Sequence, residues 1–207
     1  MYYVISMIVG YLVGCMHGSQ LVGKYKKVDM KKTGVKNSGA SNTTIVLGWK
    51  YGCVVALIDI FKATFSVLLL LNILNQSGMT EEVKTVLVYL NVFFVIIGHN
   101  FPITMNFNGG KGTASIVGAF LAIDWKVAVI CISVLVLVTL TTDYLAVGVL
   151  FMYISFVALS FYYFGVSPGI IALLLFAVSL MKHQENYKRV LAKEETKLSS
   201  LFGKKTV

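Results

Sequence analysis

A lysine framed by glycines, Gly109-Gly110-Lys111-Gly112, lies between two apolar runs, and the segment leading into it, Gly98-His99-Asn100-Phe101-Pro102, adds a histidine. Backbone N–H groups of a glycine cluster can form a concave nest for an anion, and a lysine ammonium adds a point charge. Thr113-Ala114-Ser115 opens the next apolar run, so the positive end of that helix dipole would face the same anion. The chemistry this pattern suits is the seating of a phosphate. A second reading stays open, a turn at the membrane surface with an interfacial lysine. A nucleotide-binding P-loop is excluded, because Gly112 follows Lys111 where Ser or Thr is required.

Three other polar groups have spacings that bear on chemistry. The stretch from Gly18-Ser19 through Gly23, Asp29 and Gly34 to Asn37-Ser38-Gly39-Ala40-Ser41-Asn42 is rich in small donors and in glycines suited to turns. It reads either as a binding loop or as a solvated loop with a helix N-cap at Ser41 or Asn42. Asp59 and Lys62 stand at i, i+3 inside an apolar run, where an ionisable residue is a functional candidate by default. They read equally as a ligand contact or as an ion pair bracing a bundle. His183 and Asn186 are again three apart, with Arg189 one step further. His183 can serve as a general base, a phosphate ligand or a hydrogen-bonded helix-end residue. His17, within the first apolar run, is expected to be packed.

The elements that must hold these groups are membrane helices. Of 207 residues, 57% are hydrophobic and 13% charged, against roughly 25% charged in a soluble domain, and the mean hydropathy is +0.80. Apolar segments run about 2–23, 45–74, 85–105, 113–123, 127–141, 144–164 and 168–181. Spanning a hydrocarbon core of about 30 Å takes about 20 helical residues, so the fourth segment is short and the fifth and seventh are marginal. The expected fold is all-α, a polytopic membrane bundle of about seven helices in a single domain, 1–207. The net charge of +9 is clustered, with Lys24, Lys26, Lys27, Lys31, Lys32, Lys36 and Lys50 in one stretch. Lys182, Lys188, Arg189, Lys193, Lys197, Lys204 and Lys205 form a basic tail. Such lysines mark cytoplasmic loops, so the N-terminus is expected outside and the C-terminus inside, with every polar motif on the cytoplasmic face. No aromatic-basic nucleic-acid module and no inverted repeat of a transporter is visible. Cys15, Cys53 and Cys131 lack paired spacing and are expected as packed thiols.

Together these blocks resemble the membrane-embedded acyl-phosphate:glycerol-3-phosphate acyltransferases of the PlsY family. The family's GSxxxG … DxR … GSGNxGATN block is met by Gly18-Ser19, Gly23, Asp29, Gly34, Asn37, Gly39, Ala40, Ser41 and Asn42. Its GHxxPxxxxFKGGKG block is met by Gly98-His99, Pro102, Phe107 and Gly109-Gly110-Lys111-Gly112. Its HxxNIxRLxxGxE block is met by His183, Asn186, Arg189 and Glu195, and its DxxK position by Asp59 and Lys62. The resemblance implies transfer of an acyl group from an acyl phosphate to the 1-hydroxyl of glycerol 3-phosphate, giving lysophosphatidic acid and phosphate at the cytoplasmic face of a bacterial cell membrane. Residues and resemblance together assign catalytic roles to Lys111, His183 and Asn186. Phosphate contacts fall to Asn37, Gly39, Ser41, Asn42, Gly109, Gly110 and Gly112, and supporting roles to Ser19, Asp59, Lys62, His99 and Glu195. The expected partners are the two substrates and membrane lipid, with no nucleic acid, metal or cofactor.

Departures fall on polar positions. The family's Ser-Gly of GSGN is Val35-Lys36, the arginine of DxR is Lys31, and the arginine three positions past ATN is Ile45. Arg-Tyr-x-Ser becomes Asp143-Tyr144-Leu145-Ala146, and the glycine of the third block is Lys193. Losing a planar guanidinium removes a bidentate fork. These changes keep two alternatives open, the same donor chemistry on another hydroxyl acceptor, and a non-catalytic phosphate- or lipid-binding membrane protein.

Overall fold

Long apolar segments satisfy their backbone polar groups internally only as helices or closed barrels. In the computed structural model, which describes residues 1–202, this chain takes the helical solution, with no strand among those residues. The helices are α1 (Tyr2–Gly14), α2 (Gly18–Lys26), α3 (Ala40–Leu47), α4 (Trp49–Asn75), α5 (Glu81–Asn100), α6 (Thr113–Ile123), α7 (Trp125–Thr142), α8 (Leu145–Phe164), α9 (Val166–Leu191) and α10 (Leu198–Phe202). Six stretches of the described residues are long and apolar enough to cross a membrane, with α1 and α2 forming one of them. The remaining apolar helix, α6, has 11 residues. At about 1.5 Å per residue it covers little more than half of a hydrocarbon core. Lys204 and Lys205 of the basic tail lie outside the described residues.

Three boundaries differ from the apolar runs. The first run is broken at residues 15–17, and the second is split at Gly48, which separates α3 from α4. The last helix continues to Leu191, about ten residues past its apolar part, and so carries His183 and Asn186 within it. Thr80 accepts from the Val83 N–H at 3.5 Å at the start of α5. Asp124 does the same for α7, accepting from Lys126 and Val127 at 2.7 and 3.1 Å.

Helix α1 packs on α5, α4 on α6, and α7, α8 and α9 stack in chain order. Gly14 and Gly98 let α1 and α5 touch backbone to backbone, since a Cβ on either would strike the other helix. A buried amide ties the same region together, with Asn91 Nδ2 donating to Ser6 O and Ser66 Oγ donating to Asn91 Oδ1, both at 3.0 Å. The core centres on Tyr89, Phe120, Met152, Tyr153, Phe156 and Leu175. Leu12, Phe61, Phe65, Leu137, Leu140, Phe151 and Leu173 are exposed, the apolar outer surface that lipid would cover. Cys53 is exposed on this surface, while Cys15 and Cys131 are packed.

The break between α1 and α2 organises the site. It leaves carbonyls at the end of α1 and an N–H at the start of α2 without helical partners. The Lys62 ammonium, on α4, donates to Gly14 O at 3.2 Å and Met16 O at 2.5 Å. Asp59, one turn earlier, accepts from the Gly18 N–H at 3.4 Å and pairs with Lys62 at 2.9 Å. Cation meets the negative end of one helix and carboxylate the positive end of the next. The pair is therefore a brace, which decides between the two readings of its spacing. Removing one partner should leave an unpaired buried charge. Lys62→Met is expected to cost about 3–5 kcal/mol, and Lys62→Met with Asp59→Leu distinctly less. Equal losses of thermal stability in detergent for single and double variants would contradict the brace.

Candidate active site

From the brace the contacts run into the glycine-lysine loop. Lys62 also donates to His99 Nδ1, at 2.8 Å, so a neutral His99 carries its proton on Nε2. That edge of the ring abuts Gly110, where any side chain would collide with it. His17 stacks on His99 with centroids 4.5 Å apart, and its two nitrogens lie 3.0 Å from Cys15 O and 2.9 Å from His99 O. It is packed, as expected.

The loop does not offer its glycines as a nest. The Gly109 N–H donates to Asn100 O and the Gly110 N–H to His99 O, both at 3.1 Å. These two donors hold the loop against the carbonyl end of α5, which corrects their assignment as phosphate contacts. The open donors lie just beyond. The N–H groups of Lys111, Gly112, Thr113, Ala114 and Ser115 have no hydrogen-bond partner among the described residues. Gly112 is the N-cap of α6, so these groups form the positive end of that helix.

Lys111 projects from this point to α9. Its ammonium donates to Asn186 Oδ1, Asn186 Nδ2 donates to Glu195 Oε1 at 2.6 Å, and Glu195 Oε2 accepts from Arg189 Nε at 2.7 Å. Burial pulls the Lys111 pKa down to about 8; Glu195 opposes that shift, while Arg189 and Lys182 add to it. His183 and Asn186 do not bond each other. His183 Nδ1 donates to Ser179 O at 2.9 Å, which leaves Nε2 as an acceptor. Both side chains are mostly buried, at 4% and 8% exposure.

The binding loop has a different internal logic from the one its sequence suggests. Gly39 is the N-cap of α3, so neither Ser41 nor Asn42 fills that position. Asn42, wholly buried, donates through Nδ2 to Met30 O, Thr33 O and Asn37 O at 2.8 to 3.0 Å and accepts from the Val35 N–H at 2.8 Å. Its carboxamide is committed to shaping the loop, which corrects its assignment to phosphate. Asn37 is half-buried beside it and Ser41 is exposed. Lys31 reaches the glycine-lysine segment, donating to Asn108 Oδ1 at 2.7 Å.

Two features escaped the sequence. Lys182 caps the end of α5, donating to Asn100 O at 3.1 Å with its ammonium 4.8 Å from the Phe101 ring centroid. A lysine beside His183 was the available signal. Asp143 accepts from the Ser199 N–H at 2.8 Å and Ser199 Oγ at 2.7 Å, while its carbonyl accepts from Leu198 N–H at 2.9 Å. These bonds hold its carboxyl below the usual range, and they pin the C-terminal segment to the α7–α8 turn.

A helical membrane bundle with a half-buried lysine, an open helix N-terminus and a histidine acceptor at one polar end has the chemistry of an anion site in a membrane protein. A family profile described as glycerol-3-phosphate acyltransferase matches residues 4–193. Glycerol-3-phosphate acyltransferase 1 of Oceanobacillus iheyensis is 61% identical over 205 residues, covering 99% of each chain. A glycerol-3-phosphate acyltransferase of Thermoanaerobacter pseudethanolicus is 31% identical over 100% of this chain and 98% of its own. Among solved structures, the glycerol 3-phosphate form of PlsY (YgiH), an integral membrane glycerol 3-phosphate acyltransferase, aligns with a TM-score of 0.85 and 28% identity. That alignment covers 98% of this chain and 100% of the other. Its lysophosphatidic acid form aligns at 0.81 and 27%, over 95% of both chains. The chain belongs to the glycerol-3-phosphate acyltransferase family.

The Asp143 contacts generate an expectation for the tail. Asp143→Ala removes the carboxylate that accepts from the Ser199 N–H and hydroxyl. Limited proteolysis in detergent should cut the segment after Leu191 several-fold faster while thermal unfolding of the bundle is unchanged. An unaltered cutting rate would mean that the carboxylate does not hold the tail.

Proposed function

We propose that this protein transfers an acyl group from an acyl phosphate to the 1-hydroxyl of glycerol 3-phosphate at the cytoplasmic face of a bacterial cell membrane. The observation that carries the reading is the half-buried Lys111 ammonium at the open N-terminus of α6, bonded to Asn186 and close to His183. An acyl phosphate is a mixed anhydride with a good leaving group, so positioning and charge stabilisation supply most of the catalysis. The hydroxyl oxygen attacks the acyl carbon, the bond from that carbon to the phosphate oxygen breaks, and the hydroxyl proton leaves with the phosphate. Lysophosphatidic acid and inorganic phosphate result, with no covalent enzyme intermediate. Lys111 and the N–H groups of α6 neutralise the donor's phosphate, and His183 Nε2 accepts a hydrogen bond from the attacking hydroxyl. Asn186 holds the Lys111 ammonium, with Glu195 and Arg189 fixing the amide. Asn37, Gly39, Ser41 and Gly112 take the remaining phosphate contacts, and Ser19, Asp59, Lys62 and His99 support the loops.

The test is acyl transfer by the purified protein in detergent, with palmitoyl phosphate and a panel of hydroxyl acceptors. Glycerol 3-phosphate should be the preferred acceptor, and preference for another would replace it in this reading. Lys111→Ala is expected to lose about 2–5 kcal/mol of binding to the donor phosphate, roughly 30- to 5,000-fold. Near-normal turnover with an unchanged KM would return Lys111 to an interfacial role. The depressed pKa has a signed consequence. Below pH about 8 the free enzyme holds the ammonium, and above it the charge is lost. So kcat/KM for the acyl phosphate should fall on the alkaline side with a midpoint near that value, and Lys111→Arg should remove this limb. For orientation, Lys36→Cys and Glu82→Cys should label from opposite sides of sealed cells; labelling from one side would defeat the cytoplasmic placement.

A further inference from the structure

Next to His183, the hydroxyls of Tyr153, Ser179 and Tyr187 gather where α8 packs on α9. Tyr153, on α8, is wholly buried, and its oxygen lies beside Ser179 and Tyr187 of α9. Ser179 is buried as well, and Tyr187 is half-buried with its oxygen enclosed. Neither phenol oxygen has a hydrogen-bond partner among the described residues. Buried hydroxyls in that condition are unfavourable unless they bond one another, directly or through a water. Tyr187 also stands where the family's third block has isoleucine, so a hydroxyl occupies a place where hydrocarbon would pack.

Ser179 connects this pair to the reaction proposed above. Its hydroxyl lies 3.3 Å from His183 Nδ1, and its carbonyl lies 2.9 Å from the same nitrogen. The carbonyl can only accept, so it favours a proton on Nδ1 and a free lone pair on Nε2. The hydroxyl can donate or accept. Donating to Nδ1, it would favour the opposite tautomer, with the proton on Nε2 and no acceptor for a substrate hydroxyl. Donating elsewhere, it agrees with the carbonyl. Among the described residues Ser179 Oγ has no other partner in hydrogen-bond geometry, so the outcome turns on its neighbours. We infer that Tyr153 and Tyr187 are positioning residues for His183: Tyr153 accepts from Ser179, Tyr187 accepts from Tyr153, and the series keeps His183 Nε2 an acceptor. Each link closes by a small side-chain rotation or one bridging water, and Tyr187, the least buried of the three, ends the series. The inference rests on the acyltransferase reading and supplies what holds its accepting nitrogen ready.

The test pairs two measurements on the full-length protein in detergent, at a pH where the imidazole is neutral. Nitrogen NMR of the isotopically histidine-labelled chain reads the tautomer, with the His183 signals identified by their loss in His183→Gln. Initial rates are taken with palmitoyl phosphate and glycerol 3-phosphate. The unmodified protein should show the Nδ1–H form of His183. Tyr153→Phe keeps the ring and removes the acceptor for Ser179. The Nε2–H form should then grow and kcat fall with it, roughly threefold or more, while both KM values stay within about twofold. Tyr187→Phe should move both readouts the same way by less. Adding Ser179→Ala to Tyr153→Phe removes the hydroxyl that had turned onto Nδ1, so most of the lost kcat and of the Nδ1–H form should return. Packing damage would not be repaired by a second truncation. An unchanged tautomer or an unchanged kcat in Tyr153→Phe overturns the inference, and so does a loss that Ser179→Ala fails to recover. Failure of the acyltransferase reading looks different: the unmodified protein then makes no lysophosphatidic acid, while the NMR signals still report whether Tyr153 sets the tautomer.

Discussion

One ion pair inside the membrane bundle carries the geometry of everything at its polar end. Asp59 and Lys62 sit one turn apart on α4, and between them they satisfy both sides of the gap where the first helix is interrupted. A buried pair of this kind contributes little net stability, because desolvating two charges costs nearly what their attraction returns. Its effect is to specify a shape. Without a partner for the carbonyls of Gly14 and Met16 the interruption would be costly in lipid, and a continuous helix would carry Ser19 and Lys31 away from the loops they meet. The same ammonium fixes the tautomer of His99, whose carbonyl in turn holds Gly110 and His17. A chain of contacts thus runs from Asp59 to the residue beside Lys111.

The polar end of the bundle is a meeting of helix ends. At the carbonyl end of α5, His99 O and Asn100 O are taken by Gly110, Gly109 and Lys182, while the amide end of α6 is left open among the described residues. Among the described residues, Lys111, Lys182 and Arg189 lie near one carboxylate, Glu195, which is itself paired with Arg189. Burial is the main cause of the fall in the Lys111 pKa; Glu195 opposes it, and the nearby Arg189 and Lys182 charges add to it.

Much of this was legible in the chain, and the failures have physical causes. Lys111, His183 and Asn186 stood out because polar groups flanking apolar runs have few bland explanations, and three-residue spacing on a helix put His183 and Asn186 on one face. The spacing of Asp59 and Lys62 named the pair but not its task, because the gap it serves is made by Cys15, Met16 and His17, which look like ordinary helix. Gly109 and Gly110 were misread because glycine advertises an available N–H without saying where it points, and here the end of α5 claims both. Asp143 looked like a reversed charge in a binding site; its partner, Ser199, lies 56 residues away and no local pattern links them. Lys182 read only as one charge of the basic tail, because its partner is a carbonyl, which every residue possesses.

The commitment of Asn42 bears on how this protein can change over generations. One carboxamide, anchored in α3, fastens the backbone of the loop at Met30, Thr33, Val35 and Asn37. Val35 and Lys36 face solvent beside these bonds, whereas a side chain at Gly34, whose φ is +65°, would strike the Asn42 carboxamide. Mutations at Val35 and Lys36 can redraw the surface offered to a small molecule without unravelling the fold. The surface of this loop is free to vary at Val35 and Lys36 while Asn42 keeps its shape.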